Sequence, residues 1–201
     1  MLLFDNYDIK VYATPLQRSS TTGGRRRVAE LAAVKSLLRE AFPTFPDARI
    51  AHAASGAPYL IFSGKAPAEI PAISISHSRD LAVLAVAPEG TRIGVDAETG
   101  DRANQLQRVA PRFLSQQQMP FWGSSPSTLL WAWTIKEALY KAAGHVGMGL
   151  LEIPLPLEVP VDAEKPDGRV DMDGRPYTVL QVDAPGCGSM VMLVFAPPYA
   201  L

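Results

Sequence analysis

The stretch Trp133-Thr134-Ile135-Lys136-Glu137-Ala138-Leu139-Tyr140-Lys141-Ala142-Ala143-Gly144 sets an acid and two bases beside an apolar seam. Trp131, Ile135, Ala138, Leu139 and Ala142 recur at helical spacing, which predicts the face turned to the core. Glu137 and Lys141 are four apart and therefore neighbours on one face. Gly144 supplies the stop, because glycine tolerates the left-handed conformation that often follows a helix. Ser124-Ser125-Pro126-Ser127 reads as a loop or cap before it, so a long helix is expected over residues 128–143. A Glu/Lys pair at this spacing is ordinary surface support in a helix, and it acquires meaning only from what lies upstream.

Upstream lies Ile93-Gly94-Val95-Asp96-Ala97-Glu98, in which Ile93 and Val95 suggest a strand. Residues two apart on a strand point to the same side, so Asp96 and Glu98 are expected to share a face. Two like charges side by side destabilise a strand unless something compensates them. Either water does so at an exposed strand end, or a hard divalent cation such as Mg²⁺, which prefers carboxylate oxygens together with substrate phosphates. Earlier still, Ile73-Ser74-Ile75-Ser76-His77-Ser78 alternates apolar and polar residues, the pattern of a half-buried strand. Its polar end offers hydroxyls and an imidazole that can satisfy local hydrogen bonds or bind phosphate oxygens.

Taken in order, Ser76-His77-Ser78, Ile93 to Glu98 and Trp133 to Gly144 resemble the signatures of the 4′-phosphopantetheinyl transferases of the surfactin-synthetase-activating type. Each motif alone is weak, whereas the ordered set is specific. The matches run from Gly56 to Gly144. The resemblance implies an α+β fold of two similar halves in pseudo-twofold arrangement, divided into residues 1–95 and 96–201, with the active site between them. A monomer is implied, since the two halves supply a complete site. The resemblance further implies Asp96, Glu98 and Glu137 as Mg²⁺ ligands, Glu137 as general base, and Lys141 beside the pyrophosphate. Pro58, Ser76, His77, Lys136, Lys141 and Arg27 are the implied coenzyme A contacts, with His77 near the 3′-phosphate. Gly56-Ala57-Pro58-Tyr59-Leu60 resembles a segment that lies along the nucleotide, except that Ala57 stands where the family has a basic residue. After Phe113-Leu114-Ser115 the family usually places a Glu; this chain has Gln116-Gln117-Gln118.

The implied reaction moves phosphopantetheine from coenzyme A to a serine of an acyl or peptidyl carrier protein and releases adenosine 3′,5′-bisphosphate. Phosphoryl transfer of this kind needs positioning and charge neutralisation more than covalent help. The residue types suit it: carboxylates for a cation, a lysine for developing negative charge, and a carboxylate to take the serine proton directly or through water.

Composition bounds these readings. At 201 residues the chain can bury a proper core. Hydrophobic content of 47% and charged content of 19% suit a globular protein rather than a disordered one. A net charge of −1 provides no global basic field of the kind nucleic-acid binders use. Cys187 is the only cysteine, so no internal disulfide can form, and a reducing cytoplasm is expected. Met1-Leu2-Leu3-Phe4-Asp5-Asn6-Tyr7-Asp8 lacks the basic and apolar regions of a signal peptide. No uninterrupted apolar run is long enough for a bilayer.

The remaining elements follow from periodicity. A first strand is expected over residues 2–14, a turn at Thr21-Thr22-Gly23-Gly24, and a helix over 25–42 with Val28, Leu31, Ala32, Val34, Leu38 and Phe42 as its apolar stripe. Arg25, Arg26 and Arg27 at its start are either a solvated end or a site for phosphate or an acidic carrier. Short strands are expected at 50–52 and 59–62. Residues 73–76, 81–87 and 92–97 are expected to form one meander, with 81–87 central because it is apolar on both faces. Helical regions are expected at 102–109 and 116–122. His145 to Leu151, followed by Pro154, Pro156 and Pro160, predicts an extended connection. Asp173-Gly174 is a hairpin signal between strands at 169–172 and 177–183, with a last strand at 190–195. Asp167, Asp171 and Asp173 lack calcium-loop spacing. Phe121, Trp122, Met148 and Leu150 are expected to form an exposed apolar dock for a carrier. The rival reading is a coenzyme A or carrier-binding module of the same fold without chemistry. No Gly-x-x-x-x-Gly-Lys-Ser/Thr loop and no Gly-x-Ser-x-Gly elbow occurs, which disfavours P-loop and triad-hydrolase readings.

Overall fold

The computed structural model describes residues 1–16, 23–64, 66–144, 147–156 and 168–198, with side chains in the first helix from residue 26. Thr21-Thr22, the Arg25 side chain, His145, Pro160 and Asp167, named above, lie outside these. Ten strands are described: β1 (Leu2–Asn6), β2 (Ile9–Pro15), β3 (Arg49–His52), β4 (Pro58–Ile61), β5 (Ala72–His77), β6 (Leu81–Ala87), β7 (Arg92–Thr99), β8 (Gly168–Met172), β9 (Arg175–Val182) and β10 (Ser189–Ala196). Four α-helices accompany them: α1 (Gly23–Ala41), α2 (Ala103–Val109), α3 (Met119–Trp122) and α4 (Pro126–Ala143).

The fold is α+β. Two four-stranded antiparallel sheets run β1-β2-β6-β5 and β7-β10-β9-β8, and β3 and β4 form a separate hairpin. The two halves share one plan. In each, a strand (β2, β7, the former preceded by β1) leads to a long helix (α1, α4) and then to a hairpin whose last strand (β6, β10) inserts beside that strand. The inner faces meet in one apolar layer, where Val11, Val83 and Ala85 pack with Val95, Val191 and Leu193. Outside the first sheet, Leu37, Leu38 and Phe42 cover Tyr12, Ala82 and Leu84. Outside the second, α4 covers Met192, Val194 and Val179 with Ile135, Ala138, Leu139 and Ala142. The core stripe read on α4 is therefore the observed one, except that Trp131 is only partly buried.

Several expectations are corrected. The first strand is a hairpin: Tyr7 and Asp8 take positive φ of 56° and 59°, the two-residue turn whose twist matches paired strands. Gly23 and Gly24 open α1 rather than forming a turn. On α1, Val28 and Leu31 are 67% and 63% exposed, so the apolar stripe reaches the core only in the C-terminal half of the helix. β7 does not continue a meander with β6. It crosses to the second sheet and pairs with β10, so the expected division between residues 95 and 96 falls inside one strand. β6 is indeed central, between β2 and β5. The hairpin at Asp173-Gly174 is present, with φ of 56° and 73°.

Gly94 sets how α4 lies on β7. A Cβ at this position would overlap the carbonyl oxygen of Ala138 and sit 2.8 Å from the Ala142 nitrogen. Its missing side chain lets the helix rest on the strand backbone. Contacts of Glu98 with Trp133 and Asp96 with Lys141 then show the helix running opposite to the strand.

Candidate active site

α4 is held at both ends. Ser125 and Thr128 exchange hydrogen bonds in a capping box at its start, and Gly144 ends it with φ of 67°. Between them the helix delivers Lys141 to β7. Lys141 Nζ donates to Asp96 Oδ1 at 2.7 Å, to the Val95 carbonyl at 3.0 Å and to Ser76 Oγ at 3.2 Å. Ser76 Oγ in turn donates to Asp96 Oδ1 at 2.7 Å and accepts from the Ala97 N–H at 3.3 Å.

The edge of β7 explains why the serines of β5 are buried rather than facing water. Ser74 Oγ accepts from the Val95 N–H at 3.0 Å, as Ser76 does from Ala97. Buried backbone N–H groups need acceptors, and here hydroxyls supply what a neighbouring strand would. The Ser76 hydroxyl thus has its one proton and both lone pairs committed. Ser76 lies on the cleft wall but is used to position Asp96.

Asp96 Oδ2 is buried and has no hydrogen-bond partner among the described residues. Glu137 is half-buried, and its carboxyl is pushed above the usual range, first by burial and then by the negative charge of Asp96. Lys141 and Arg102 oppose that shift. A carboxylate whose ionisation is disfavoured by its neighbour's charge, beside a neighbour with an orphaned oxygen, fits a hard cation, because Mg²⁺ is held by one or two carboxylates with waters and substrate phosphates. Glu98 has partners of its own. Its Oε1 accepts from Arg102 and, at 3.2 Å, from Trp133 Nε1. Among the described residues no three acidic, histidine or cysteine side chains converge as a metal cluster.

A cleft of about 660 Å³ opens beside this site, between α1, the β3–β4 hairpin, β5 and the end of α4. Arg27, Pro58, Ser76, His77 and Lys141 line it together, which brings most of the expected coenzyme contacts to one place. Ala57 lines it too. His77 Nδ1 lies 3.6 Å from Glu30 Oε1, and Glu30 also accepts from Arg26 Nε at 2.7 Å. Arg27 has no ion-pair partner among the described residues. Leu31, Val34, Ile50 and Ile75 give the cleft an apolar wall. Glu30, His52 and Tyr140 also line it and were not singled out from sequence. Glu30 had a signal available, since it lies four residues after Arg26 on the same helix.

Lys136 is the exception. At 3.6 residues per turn it lies about 140° around the helix from Lys141 and faces away from the cleft. Its side chain is fully buried, and Nζ donates to Gln118 Oε1 at 2.9 Å and to the carbonyls of Leu150 and Ile153 at 2.8 and 2.6 Å. Its acceptors are neutral, Gln118 among them, and burial pulls its pKa down to about 8. The unfolded chain then binds more protons than the folded one between pH about 8 and 10.5. This group's contribution to stability therefore rises with pH across that window. Urea unfolding at pH 8, 9 and 10 is expected to show that rise in the wild type relative to Lys136→Met. Equal slopes for the two proteins would contradict it.

The expected carrier dock is also altered. Trp122 is buried and meets Phe121 edge-on at 5.1 Å, while Met148 and Leu150 are partly buried against the core of the second half. Phe121 and Leu151, each 47% exposed, remain at the surface. No described helix is long and apolar enough to cross a membrane.

Residues 92–173 match the family model of the 4′-phosphopantetheinyl transferase superfamily. That segment runs from the first residue of β7 to the turn after β8 and carries Asp96, Glu98, Glu137 and Lys141. It supports phosphopantetheine transfer as the general chemistry. No curated protein matches the chain.

Proposed function

We propose that this protein is a 4′-phosphopantetheinyl transferase of the surfactin-synthetase-activating type. It moves phosphopantetheine from coenzyme A to a serine of an acyl or peptidyl carrier protein, in a Mg²⁺-dependent reaction, as a cytoplasmic monomer of two halves. The observation that carries this reading is the cleft lined by Ser76 and Lys141, which together hold Asp96, a buried carboxylate with an unpaired Oδ2 whose charge acts on Glu137.

Each residue has a physical task in that reading. Arg27 offers positive charge, and His77 a ring nitrogen, to a phosphate in the cleft. The apolar wall of Leu31, Val34 and Ile50 receives the less polar parts of the substrate. Lys141 contributes its charge near the pyrophosphate rather than a free donor, since its three N–H groups are committed. Ser76 and Lys141 hold Asp96 through Oδ1 and leave Oδ2 unpaired. Glu137 is the carboxylate that accepts the serine proton, directly or through a water. A Mg²⁺ held by Asp96 and Glu137 would neutralise charge on the pyrophosphate as the leaving bisphosphate departs.

Intact-mass spectrometry of a panel of apo carrier proteins, incubated with this protein, coenzyme A and Mg²⁺, tests the proposal. One carrier is expected to gain one phosphopantetheine, and a chelator is expected to abolish the gain. If no carrier gains mass while calorimetry still detects coenzyme A, the non-catalytic binding module replaces the transferase. The small Ala57 side chain in the nucleotide wall would then be the first position to restore to a basic residue.

A further inference from the structure

Glu98 is one of the acids that a bound cation would recruit, yet its charge is already answered. Arg102 Nη1 pairs with Glu98 Oε1, and Trp133 Nε1 donates to the same oxygen. The Arg102 guanidinium lies 4.9 Å from the centre of the Trp133 ring, and Phe113 meets that ring edge-on at 5.2 Å. Arg102 is thus held by a carboxylate and an aromatic face at once, the two surfaces a planar guanidinium binds best. Glu98 is buried in this cluster, whereas the Arg102 side chain is 40% exposed. Arg102 sits on the short 3₁₀ turn Gly100–Arg102 just beyond β7, so its side chain can leave Glu98 without disturbing the strand. Its charge also reaches Glu137.

We propose that Arg102 is an internal counter-ion that competes with the divalent cation for Glu98. With Arg102 seated, the carboxylates open to a cation are Asp96 and Glu137. Arg102 opposes recruitment of Glu98 as a third ligand, because two positive charges at one carboxylate repel and Oε1 already accepts two hydrogen bonds. Release turns the guanidinium toward the solvent side of the same site, where a phosphate of the substrate is the natural partner for a bidentate cation. Arg102 is a positioning residue in this scheme: it sets how tightly the empty protein holds the cation. The inference rests on the transferase reading, in which Asp96 and Glu137 form the cation site.

The test reads cation binding directly, by calorimetric titration of the protein with Mn²⁺ and no coenzyme A. Arg102→Gln removes the competitor and is expected to bind Mn²⁺ about tenfold more tightly than wild type. Arg102→Lys, which keeps a charge, is expected to stay nearer wild type. Loss of a merely structural contact would not improve affinity, so tightening separates the two roles. Asp96→Asn provides the control for the site itself. Weakened binding in Asp96→Asn with no tightening in Arg102→Gln would overturn the competition and leave the cation site standing. Equal binding by wild type and Asp96→Asn would mean that the cation binds elsewhere, and both readings would fall.

Discussion

Gly94→Ala is expected to destabilise the protein by more than about 4 kcal/mol, at the upper end for a single substitution. The added methyl meets backbone rather than a side chain: the Ala138 carbonyl oxygen would overlap it, and the Ala142 nitrogen would lie 2.8 Å away. Neither can turn aside, since both belong to the helix buried over β7 through Ile135, Ala138, Leu139 and Ala142. Relief requires α4 to lift off the strand, which opens the outer core of the second sheet. Overpacking of a yielding site costs about 1–3 kcal/mol, and this site does not yield. Against a total stability of roughly 5–15 kcal/mol, the variant loses much of its margin. The same displacement pulls Lys141 from Asp96 and leaves a buried carboxylate unpaired. Gly100 is the control, because a Cβ there meets nothing within 4 Å. Urea unfolding of Gly94→Ala and Gly100→Ala beside the wild type decides the matter: equal midpoints for the two variants would show that α4 is not seated through Gly94.

How much of this was legible follows from which residues interact locally. The acids of β7 and the Glu137/Lys141 pair obey periods of two and four, so their shared faces can be read before any tertiary contact is known. The hairpin at Asp173-Gly174 and the central position of β6 were legible for the same reason. The partner of β7 was not, since a tight turn at Pro88-Glu89-Gly90-Thr91 suits a hairpin with β6 as well as a crossing to β10. The turn at Tyr7-Asp8 was hidden because it carries no glycine, although both residues take positive φ. Lys136 misled because a lysine in a polar motif is ordinarily solvent-facing, and its acceptors lie 14 to 18 residues away in the chain. The pairing of Glu98 with Arg102 was equally hidden. The two are four apart, but a strand end and a 3₁₀ turn separate them, so no helical rule applies.

Glu137→Gln is expected to lower phosphopantetheine transfer by about 10²–10⁴-fold, the usual contribution of a positioned acid–base group, while leaving the fold at least as stable. The two effects have one origin. In the folded protein the Glu137 carboxyl is raised above its ordinary range by burial and by the charge of Asp96. Between the unfolded and the raised folded pKa the folded state binds more protons, so stability falls as pH rises through that window. Above it, the ionised carboxylate carries a constant penalty. Glutamine keeps the size and removes the charge, so the penalty disappears at neutral pH and the melting temperature should stay level or rise. Near-wild-type turnover in the variant would remove Glu137 from the mechanism. A sharp fall in melting temperature would instead mean that its carboxylate is held favourably by Lys141 and Arg102, the two cations that oppose the shift. Activity and stability moving in opposite directions is the signature of a charge kept in place for chemistry, because a residue retained for folding alone would lose both together.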